Sequence, residues 1–200
     1  MVRWQPGAKD RLQAAALDLY LTRGFEQTTV TEIAASVGLT ERTFFRHFAD
    51  KREVLFDGQE LLAQAFLNGV DAAADDATPM ETVAAALDTA AEFFPEERRE
   101  HSRRRQEIIE ANPGLQEREL LKLAGLAAAI AAALGVRGVP EPVATLAAQS
   151  GVTVFAVAFA QWIETGEVRS FTELERDSLD ALRDVTRSAD DQLRLALRRE

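Results

Sequence analysis

Side chains that can bind anionic oxygens and base edges are concentrated in one short segment, residues 40–47. The segment reads Thr-Glu-Arg-Thr-Phe-Phe-Arg-His. Guanidinium and hydroxyl groups donate hydrogen bonds to phosphate oxygens, and the fork of an arginine also fits the edge of guanine. Three more potential phosphate ligands lie nearby in the sequence, at Thr29, Thr31 and Lys51. These residue types favour recognition of nucleic acid over catalysis.

Catalytic and metal-binding patterns are scarce along the chain. There is no cysteine, and the two histidines, His47 and His101, are far apart in the sequence. Two separated histidines are too few for a His-rich metal site. Ser150-Gly151 lies within a long helical pattern, whereas a nucleophile elbow needs a strand, a turn and a helix. We therefore expect no enzyme, no metal and no cofactor.

The net charge of −10 is unevenly distributed. Residues 1–52 contain eight Lys and Arg against six Asp and Glu, whereas the other 148 residues contain 15 against 27. Because phosphate binding depends on a few well-placed cations, the acidic total does not exclude it. The distribution predicts a mildly basic head on an acidic body.

Two short helices joined by a turn are predicted to position the candidate side chains. Thr29 with Glu32 has the pattern of a capping box for the first helix, and Thr40 is a suitable N-cap for the second. Gly38 stands at the turn, where the backbone favours a residue that tolerates positive φ. Residues 29–48 therefore predict a helix-turn-helix, whose second helix enters the major groove.

The second helix of this pair has an apolar face and a polar face. Phe44 and Phe48, four residues apart, are expected to anchor it to the core. The outward residues are then Glu41, Arg42, Thr43, Arg46 and His47. An αα-hairpin that serves only packing would share the apolar pattern, but its surface would more commonly be a mixture of Glu and Lys.

Residues 8–55 resemble the DNA-binding domain of the TetR family of bacterial regulators. The matching pieces are Ala-Ala-Leu-Asp-Leu-Tyr-Leu-Thr-Arg-Gly-Phe at 15–25, Thr-Thr-Val-Thr-Glu-Ile-Ala at 28–34, Gly-Leu-Thr-Glu-Arg-Thr-Phe-Phe-Arg-His-Phe at 38–48 and Asp-Lys-Arg-Glu-Val-Leu at 50–55. The resemblance implies an all-α protein with a three-helix DNA-binding head at 1–50 and a helical ligand-binding and dimerisation body at 51–200. It further implies a homodimeric repressor that binds a palindromic operator and is released by a small molecule.

The resemblance also assigns roles to individual positions of the head. Those that fall where the family reads bases or nearby phosphates are Thr40, Arg42, Thr43 and His47. Those that fall where it holds the DNA backbone are Thr29, Thr31, Phe45, Arg46 and Lys51. Position 45 is usually Tyr in the family, so the hydroxyl contact to a phosphate is either lost or replaced here, and a role of Phe45 in packing alone is the alternative. Arg42 remains open between a bidentate contact to guanine and a contact to phosphate.

A segment near residues 141–165 is apolar on nearly all sides, which predicts a helix buried all round. A second subunit could supply that cover, as the family's paired last two helices imply, or the helix could be a core helix of one chain. We expect the smaller face to meet the partner, together with two residues of the last helix. The predicted interface is Ala147, Gly151, Val154, Ala158, Leu182 and Val185.

The larger side chains of the same segment are expected to line a ligand pocket. With residues from 93–109 they would form an apolar tunnel, in which one or two of Arg98, Arg104 and Arg105 bind an anionic group of the ligand. The predicted set is Phe93, Phe94, Arg105, Ile109, Phe155, Phe159 and Trp162. Residues 96–119 faintly resemble regulators that sense acyl-CoA-like molecules, which suggests acyl-CoA or another apolar anion. A packed core and a solvated, ion-paired helix are the alternatives for the aromatic and arginine residues.

Helical patterns extend over the rest of the chain and predict about nine helices. The fourth is expected to begin at Lys51, after a capping box of Asp50 and Glu53, and the last after a cap of Thr172 and Glu175. No signal sequence or membrane partner is expected from the pattern, and the cytoplasm is the expected location.

Overall fold

The computed structural model describes residues 7–197, and it describes side chains for residues 7–186. This part of the chain contains nine α-helices, one 3-10 helix and no strand, which confirms the all-α prediction. The α-helices are α1 (Ala8–Arg23), α2 (Val30–Ser36), α3 (Glu41–His47), α4 (Gln59–Ala72), α5 (Pro79–Ala91), α6 (Arg99–Glu110), α7 (Pro113–Val136), α8 (Glu141–Trp162) and α9 (Phe171–Leu197). The 3-10 helix, Glu96–Arg98, precedes α6.

One capping box forms where the sequence predicts it, another forms at Thr78, and two other predicted helix starts are displaced. The capping boxes that begin at Thr29 and Thr78 both form. The helix expected at Lys51 begins instead at Gln59, because Gly58 has φ +85° and interrupts helical geometry. The start of α9 is also displaced, since Ser170 exchanges cap hydrogen bonds with Glu173. Glu175, predicted as a capping residue, is buried.

The chain divides into two compact units, with the first formed by residues 1–60 and 100–121. Its described core is built around Leu12, Tyr20, Ile33 and Phe44 of helices α1–α3. Residues from α6 and α7 join that core, among them Ile108, Ile109 and Leu115. Part of the predicted body therefore packs with the head, although the functional boundary at residue 50 stays a prediction.

The second unit comprises residues 61–99 and 122–200. Its described core brings together α4, α5, α7, α8 and α9 around a cluster of aromatic rings. Gly69 shows how tightly α4 and α5 approach, because a Cβ added there would lie 2.5 Å from the Cα of Ala86. Small residues thus permit close helix contacts inside this unit.

Two helices, α7 and α8, are long and apolar enough to cross a membrane by length and composition alone. Core helices of globular proteins pass the same test, and 44% of the apolar window of α8 is already buried inside the protein. These properties are weak grounds for a membrane span.

Candidate DNA-binding site

Helices α2 and α3 and the turn between them form the predicted helix-turn-helix. Thr29 accepts a hydrogen bond from the N–H of Glu32 at 3.2 Å, and Glu32 in turn accepts the N–H of Thr29 at 2.9 Å. Gly38 has φ +67°, in the left-handed region that the turn requires. The N–H of Leu39 then donates to the carbonyl of Ala34 at 2.9 Å, which closes the turn. Local sequence signals therefore account for this geometry.

The apolar face of α3 holds the helix on the first unit. Phe44 is fully buried, and Phe48 lies 5.3 Å from it between ring centroids. Phe45 is 54% exposed and meets Phe44 edge to face. Packing within the protein does not explain why Phe45 is half-exposed on the same helix as Arg42 and Arg46. This exposure is consistent with a surface that a partner covers.

Arg42 and Arg46 project from α3 as exposed cations without partners. Among the described lysines and arginines of the first unit, they are the two whose charged groups make neither an ion pair nor a hydrogen bond. The ion pairs elsewhere on this unit are Lys9–Asp57, Arg23–Glu32, Arg52–Asp50, Arg103–Glu100, Arg104–Asp18, Arg105–Glu119 and Arg118–Glu53. The two cationic side chains of the unit that have neither kind of bond therefore both lie on the helix predicted to read DNA.

Lys51 was predicted as a phosphate contact, but its ammonium group donates hydrogen bonds to backbone carbonyls of the same chain. Its Nζ donates to the carbonyls of Phe25 at 2.9 Å, Glu26 at 3.3 Å and Thr28 at 3.1 Å. The same Nζ lies 4.5 Å from the centroid of the Phe25 ring. A lysine ammonium has three N–H donors, and all three are used here. Lys51 therefore holds the loop before α2, a role that sequence reasoning missed because the carbonyls lie 23–26 residues away.

Several hydroxyl groups of the predicted site also form hydrogen bonds within the protein. Thr31 donates its hydroxyl to Glu41 across the helix-turn-helix. Thr40 and Thr43 share a hydrogen bond of 3.1 Å between their hydroxyl oxygens. The Nε2 of His47 is buried without a hydrogen-bond partner, so this nitrogen is not free to reach a base in the present conformation. All nine predicted DNA contacts lie in the helix-turn-helix or the turn after it, and their roles stay predictions.

The predicted ligand pocket is not held within one unit. Arg105 and Ile109 belong to the first unit, where Arg105 donates to the carbonyl of Leu55 at 2.5 Å and pairs with Glu119 at 3.0 Å. Ile109 is fully buried in that unit's core. The five aromatic members belong to the second unit. In this structure the guanidinium of Arg105 is bonded to local acceptors, and its role as an anion ligand stays a prediction.

Six aromatic residues of the second unit form a closely packed cluster, namely Phe66, Phe94, Phe155, Phe159, Trp162 and Phe171. Among the described residues, Phe93 of the predicted pocket makes no ring contact with this cluster. Phe94 lies at its centre, 4.5 Å from Phe171 and 5.7 Å from Trp162 between ring centroids. Rings at these separations are in contact, so the cluster encloses little open space. A cleft of about 430 Å³ in the same unit lies elsewhere, lined by residues of α5, α8 and α9 that include Met80, Leu146 and Leu182.

The predicted dimer interface on the small face of α8 is wrong. Ala147, Gly151, Val154 and Ala158 are buried within a single chain. A Cβ added to Gly151 would lie 2.5 Å from Cγ1 of Val83, so α5 already covers this face. Among the described residues, the exposed large apolar side chains of α8 are Val143, Leu146 and Val157. Of the two predicted interface residues on α9, Val185 is exposed and Leu182 is half-buried beside the cleft. Both faces of α8 are apolar in the sequence, so the pattern could not choose between them.

Two charged side chains are buried in the second unit, with different surroundings. Arg99 donates to the carbonyls of Trp162, Glu167 and Arg169 at 2.6–2.9 Å and pairs with Glu96. By contrast, Oε1 of Glu175 has no hydrogen-bond partner. Burial, reinforced by the nearby carboxylate of Asp88, raises the pKa of Glu175 to about 8. At neutral pH this side chain is therefore mostly protonated.

Comparison with known proteins agrees with the helix-turn-helix geometry of α2 and α3. The family model for bacterial regulatory proteins of the tetR family matches residues 12–57, and the model for the MftR C-terminal domain matches residues 77–187. The HTH-type transcriptional regulator TcmR of Streptomyces glaucescens is 38% identical over 79 residues, which are 40% of this chain and 35% of TcmR. The alignment thus spans about a third of the length of that relative.

Solved structures share the fold. The fatty acid degradation regulator FadR of Bacillus halodurans matches 90% of this chain and 96% of its own, with a TM-score of 0.51 and 16% identity. A TetR-family transcriptional regulator from Mesorhizobium loti matches 88% of this chain and 95% of its own, with a TM-score of 0.51 and 20% identity. Such identities establish fold alone. The two family models together span most of the chain, one of them more than half of it, and the chain belongs to the TetR family of bacterial regulatory proteins.

Proposed function

We propose that this TetR-family transcriptional regulator represses its target by binding a palindromic operator as a homodimer, and that a small, largely apolar effector releases it. The observation that carries the DNA-binding proposal is the pair of uncompensated arginines on α3. Ion pairs neutralise the other exposed cations of this unit, whereas Arg42 and Arg46 are exposed and have no partner. Contacts to phosphate and to guanine would supply the missing acceptors.

The proposed interface with DNA contains fewer free donors than the sequence suggested. Arg42, Arg46 and Phe45 are exposed on α3, and we assign them to contacts with DNA. Thr29, Thr40 and Thr43 contribute hydroxyls and the N-termini of short helices, which favour nearby phosphates. Lys51 acts indirectly in this proposal, because it fixes the loop that leads into α2.

The dimer proposal uses the exposed face of α8 together with α9. Leu146 is 68% exposed and Val185 is 69% exposed, and such residues are usually covered when they form a contiguous apolar surface. An isologous pairing of this face would join two chains into a dimer, and a dimeric helix-turn-helix protein reads two half-sites about 34–36 Å apart. Because operator DNA is bacterial chromosomal DNA, the proposal places the protein in the cytoplasm.

The effector proposal rests on the aromatic cluster of the second unit, which would have to rearrange to admit a ligand. The arginines once expected to bind an anionic head group are all engaged. Arg98 donates to the carbonyl of Phe93, Arg104 pairs with Asp18, and Arg105 pairs with Glu119. We therefore propose an apolar effector and place no acyl-CoA head group on these residues.

Fluorescence anisotropy tests the DNA-binding proposal. The purified protein is titrated against duplex DNA that flanks its own gene, at two salt concentrations, beside a random duplex of the same length. We expect tight, salt-sensitive binding of two protomers per palindrome, since each phosphate contact releases counterions. Equal affinity for both duplexes, or no salt dependence, would contradict the proposal.

Sedimentation velocity tests the proposed interface separately. Leu146→Glu places a charge on the exposed face of α8 and should shift the protein towards monomer. Leu120→Glu is the matched control, because Leu120 is an equally exposed leucine on α7. Loss of the dimer in the control alone, or in neither variant, would place the interface elsewhere.

A further inference from the structure

Glu41 is an acidic residue on the helix proposed to read DNA. It is the first residue of α3, it is exposed, and it directly precedes Arg42. Its Oε1 accepts the hydroxyl of Thr31 on α2, and no other hydrogen bond or ion pair of Glu41 exists within the described residues. The carboxylate is therefore tethered through one oxygen, while the other has no donor.

Glu41 makes no ion pair within the described residues, in contrast to several carboxylates of the same unit. Asp57, Glu32 and Asp50 each neutralise a neighbouring cation. Glu41 has Arg42 next to it in the sequence, yet it bonds to a threonine hydroxyl. Both charges consequently remain uncompensated at the start of α3, with the carboxylate fixed by its bond to α2.

A carboxylate in this position opposes binding to DNA in general. The first turn of a recognition helix is the part that approaches base edges in the major groove. An anion placed there is repelled by the phosphates and loses hydration when the groove closes around it. That cost is offset where the carboxylate accepts a hydrogen bond from the groove, and the amino group N4 of cytosine is the donor that carboxylates read.

We propose that Glu41 is a specificity-determining residue, which accepts a hydrogen bond from a cytosine in the operator and weakens binding to duplexes that lack it. This inference rests on the proposed function. Thr31 is the positioning residue: its hydroxyl occupies one carboxylate oxygen and leaves the other for the base. The pair thus replaces the phosphate contact that sequence reasoning gave to Thr31.

The test is selection from a random duplex library, followed by anisotropy on the selected site and on a random duplex. The proteins are the wild type, Glu41→Ala, Glu41→Gln and Thr31→Val. The wild type should require cytosine at one position of each half-site, with about 5- to 150-fold discrimination there. Glu41→Ala should lose that preference and bind random duplex several-fold more tightly. Its salt dependence should be steeper by up to about 0.9 per protomer in log–log slope.

The other variants separate charge from hydrogen bonding. Glu41→Gln should also bind random duplex more tightly, and its preferred base should change towards adenine, which an amide reads. Thr31→Val should weaken the cytosine preference partially, because the carboxylate keeps its charge but loses its tether. Glu117→Gln is the matched control: it makes the same charge change at an exposed residue of the first unit on α7, and it should leave both measurements unchanged.

The outcomes also distinguish this inference from the function on which it rests. If the wild type enriches no sequence at all, the proposed function fails and the inference fails with it. If the wild type enriches a palindrome but Glu41→Ala selects the same bases with the same affinity for random duplex, the inference alone is overturned. Thermal unfolding of each variant confirms that α3 is intact.

Discussion

Two arginines of the first unit and one glutamate of the second have ionisable groups without partners, and the surroundings of these groups differ. In the first unit, Arg42 and Arg46 stand in water on α3. In the second, Oε1 of Glu175 is unpartnered inside the protein, and Glu175 as a whole is 3% exposed. An exposed cation loses little by lacking a partner and is available to a ligand. A buried acid without one responds by retaining its proton.

Arg99 provides the contrasting case within the second unit, since it is buried and fully bonded. Arg99→Ala would leave the carbonyls of Trp162, Glu167 and Arg169 without their donor. We expect the free energy of unfolding to fall by on the order of 5 kcal/mol, the largest effect among these predictions. Urea unfolding measures it. Arg183→Ala, at an exposed i,i+3 pair with Asp180, is the control and should change stability little.

Glu175 should make the stability of the protein depend on alkaline pH. Its pKa rises from 4.5 to about 8 on folding, because of burial and the carboxylate of Asp88, with Arg176 opposing. The unfolded chain loses this proton at lower pH than the folded one, so the contribution is complete below about pH 4.5 and is lost as pH rises through 8. The loss by pH 9 should be on the order of 3 kcal/mol, allowing for water penetration on ionisation.

Glu175→Gln measures this contribution directly. Urea unfolding at several pH values should show that the variant lacks most of the decline between pH 6 and pH 9. An unchanged pH profile in Glu175→Gln would mean that the carboxyl does not titrate in this window. In that case the buried carboxyl of Glu175 would not differ in behaviour from the solvated charges on α3.

Arg42 and Arg46 should affect DNA binding without affecting stability. Alanine at either position should weaken operator binding by about 1–3 kcal/mol, whereas the free energy of unfolding should change by less than about 0.5 kcal/mol. Anisotropy on the operator and on base-substituted duplexes also distinguishes the contacts. Arg42→Ala should relax the preference at one position if Arg42 reads guanine, and a uniform loss over all duplexes would assign it to phosphate. A large loss of stability would contradict the view that these cations are free.

Substitution of Lys51 should have the smallest effect of these predictions. It should lower stability, whereas substitution of Arg42 or Arg46 should weaken DNA binding. Lys51→Met removes three hydrogen bonds to carbonyls while keeping most of the side-chain volume, and it should lower stability by about 1 kcal/mol even without DNA. Thermal unfolding of the free protein measures this. If stability is unchanged and DNA binding falls with a smaller salt slope, Lys51 is a phosphate contact after all.

Local signals in the sequence were sufficient for the helix-turn-helix. Capping boxes join residues three apart, as at Thr29 and Glu32, and the turn at Gly38 depends on the backbone of one residue. The buried spacing of Phe44 and Phe48 follows from one helical turn. Such interactions are specified by neighbours along the chain, so they can be predicted from the sequence.

The same rules were ambiguous wherever the partner is remote. The capping pattern at Asp50 and Glu53 predicted a helix from Lys51, but Gly58 delayed it to Gln59. A second capping pattern predicted that Thr172 and Glu175 cap the last helix, although α9 begins at Phe171 and the carboxyl of Glu175 is buried. In both places, a sequence motif competed with packing that the motif does not encode.

By itself, the sequence determined that this is an all-helical protein with a helix-turn-helix at 29–48, because helical periodicity, caps and glycine turns act over a few residues. Only the tertiary structure decided which apolar face of α8 is covered, that residues 100–121 pack with the first unit, and that Lys51 and Thr31 are already bonded. Each of these depends on contacts between residues distant in the chain. An apolar face or a free donor looks the same in the sequence whichever neighbour eventually meets it.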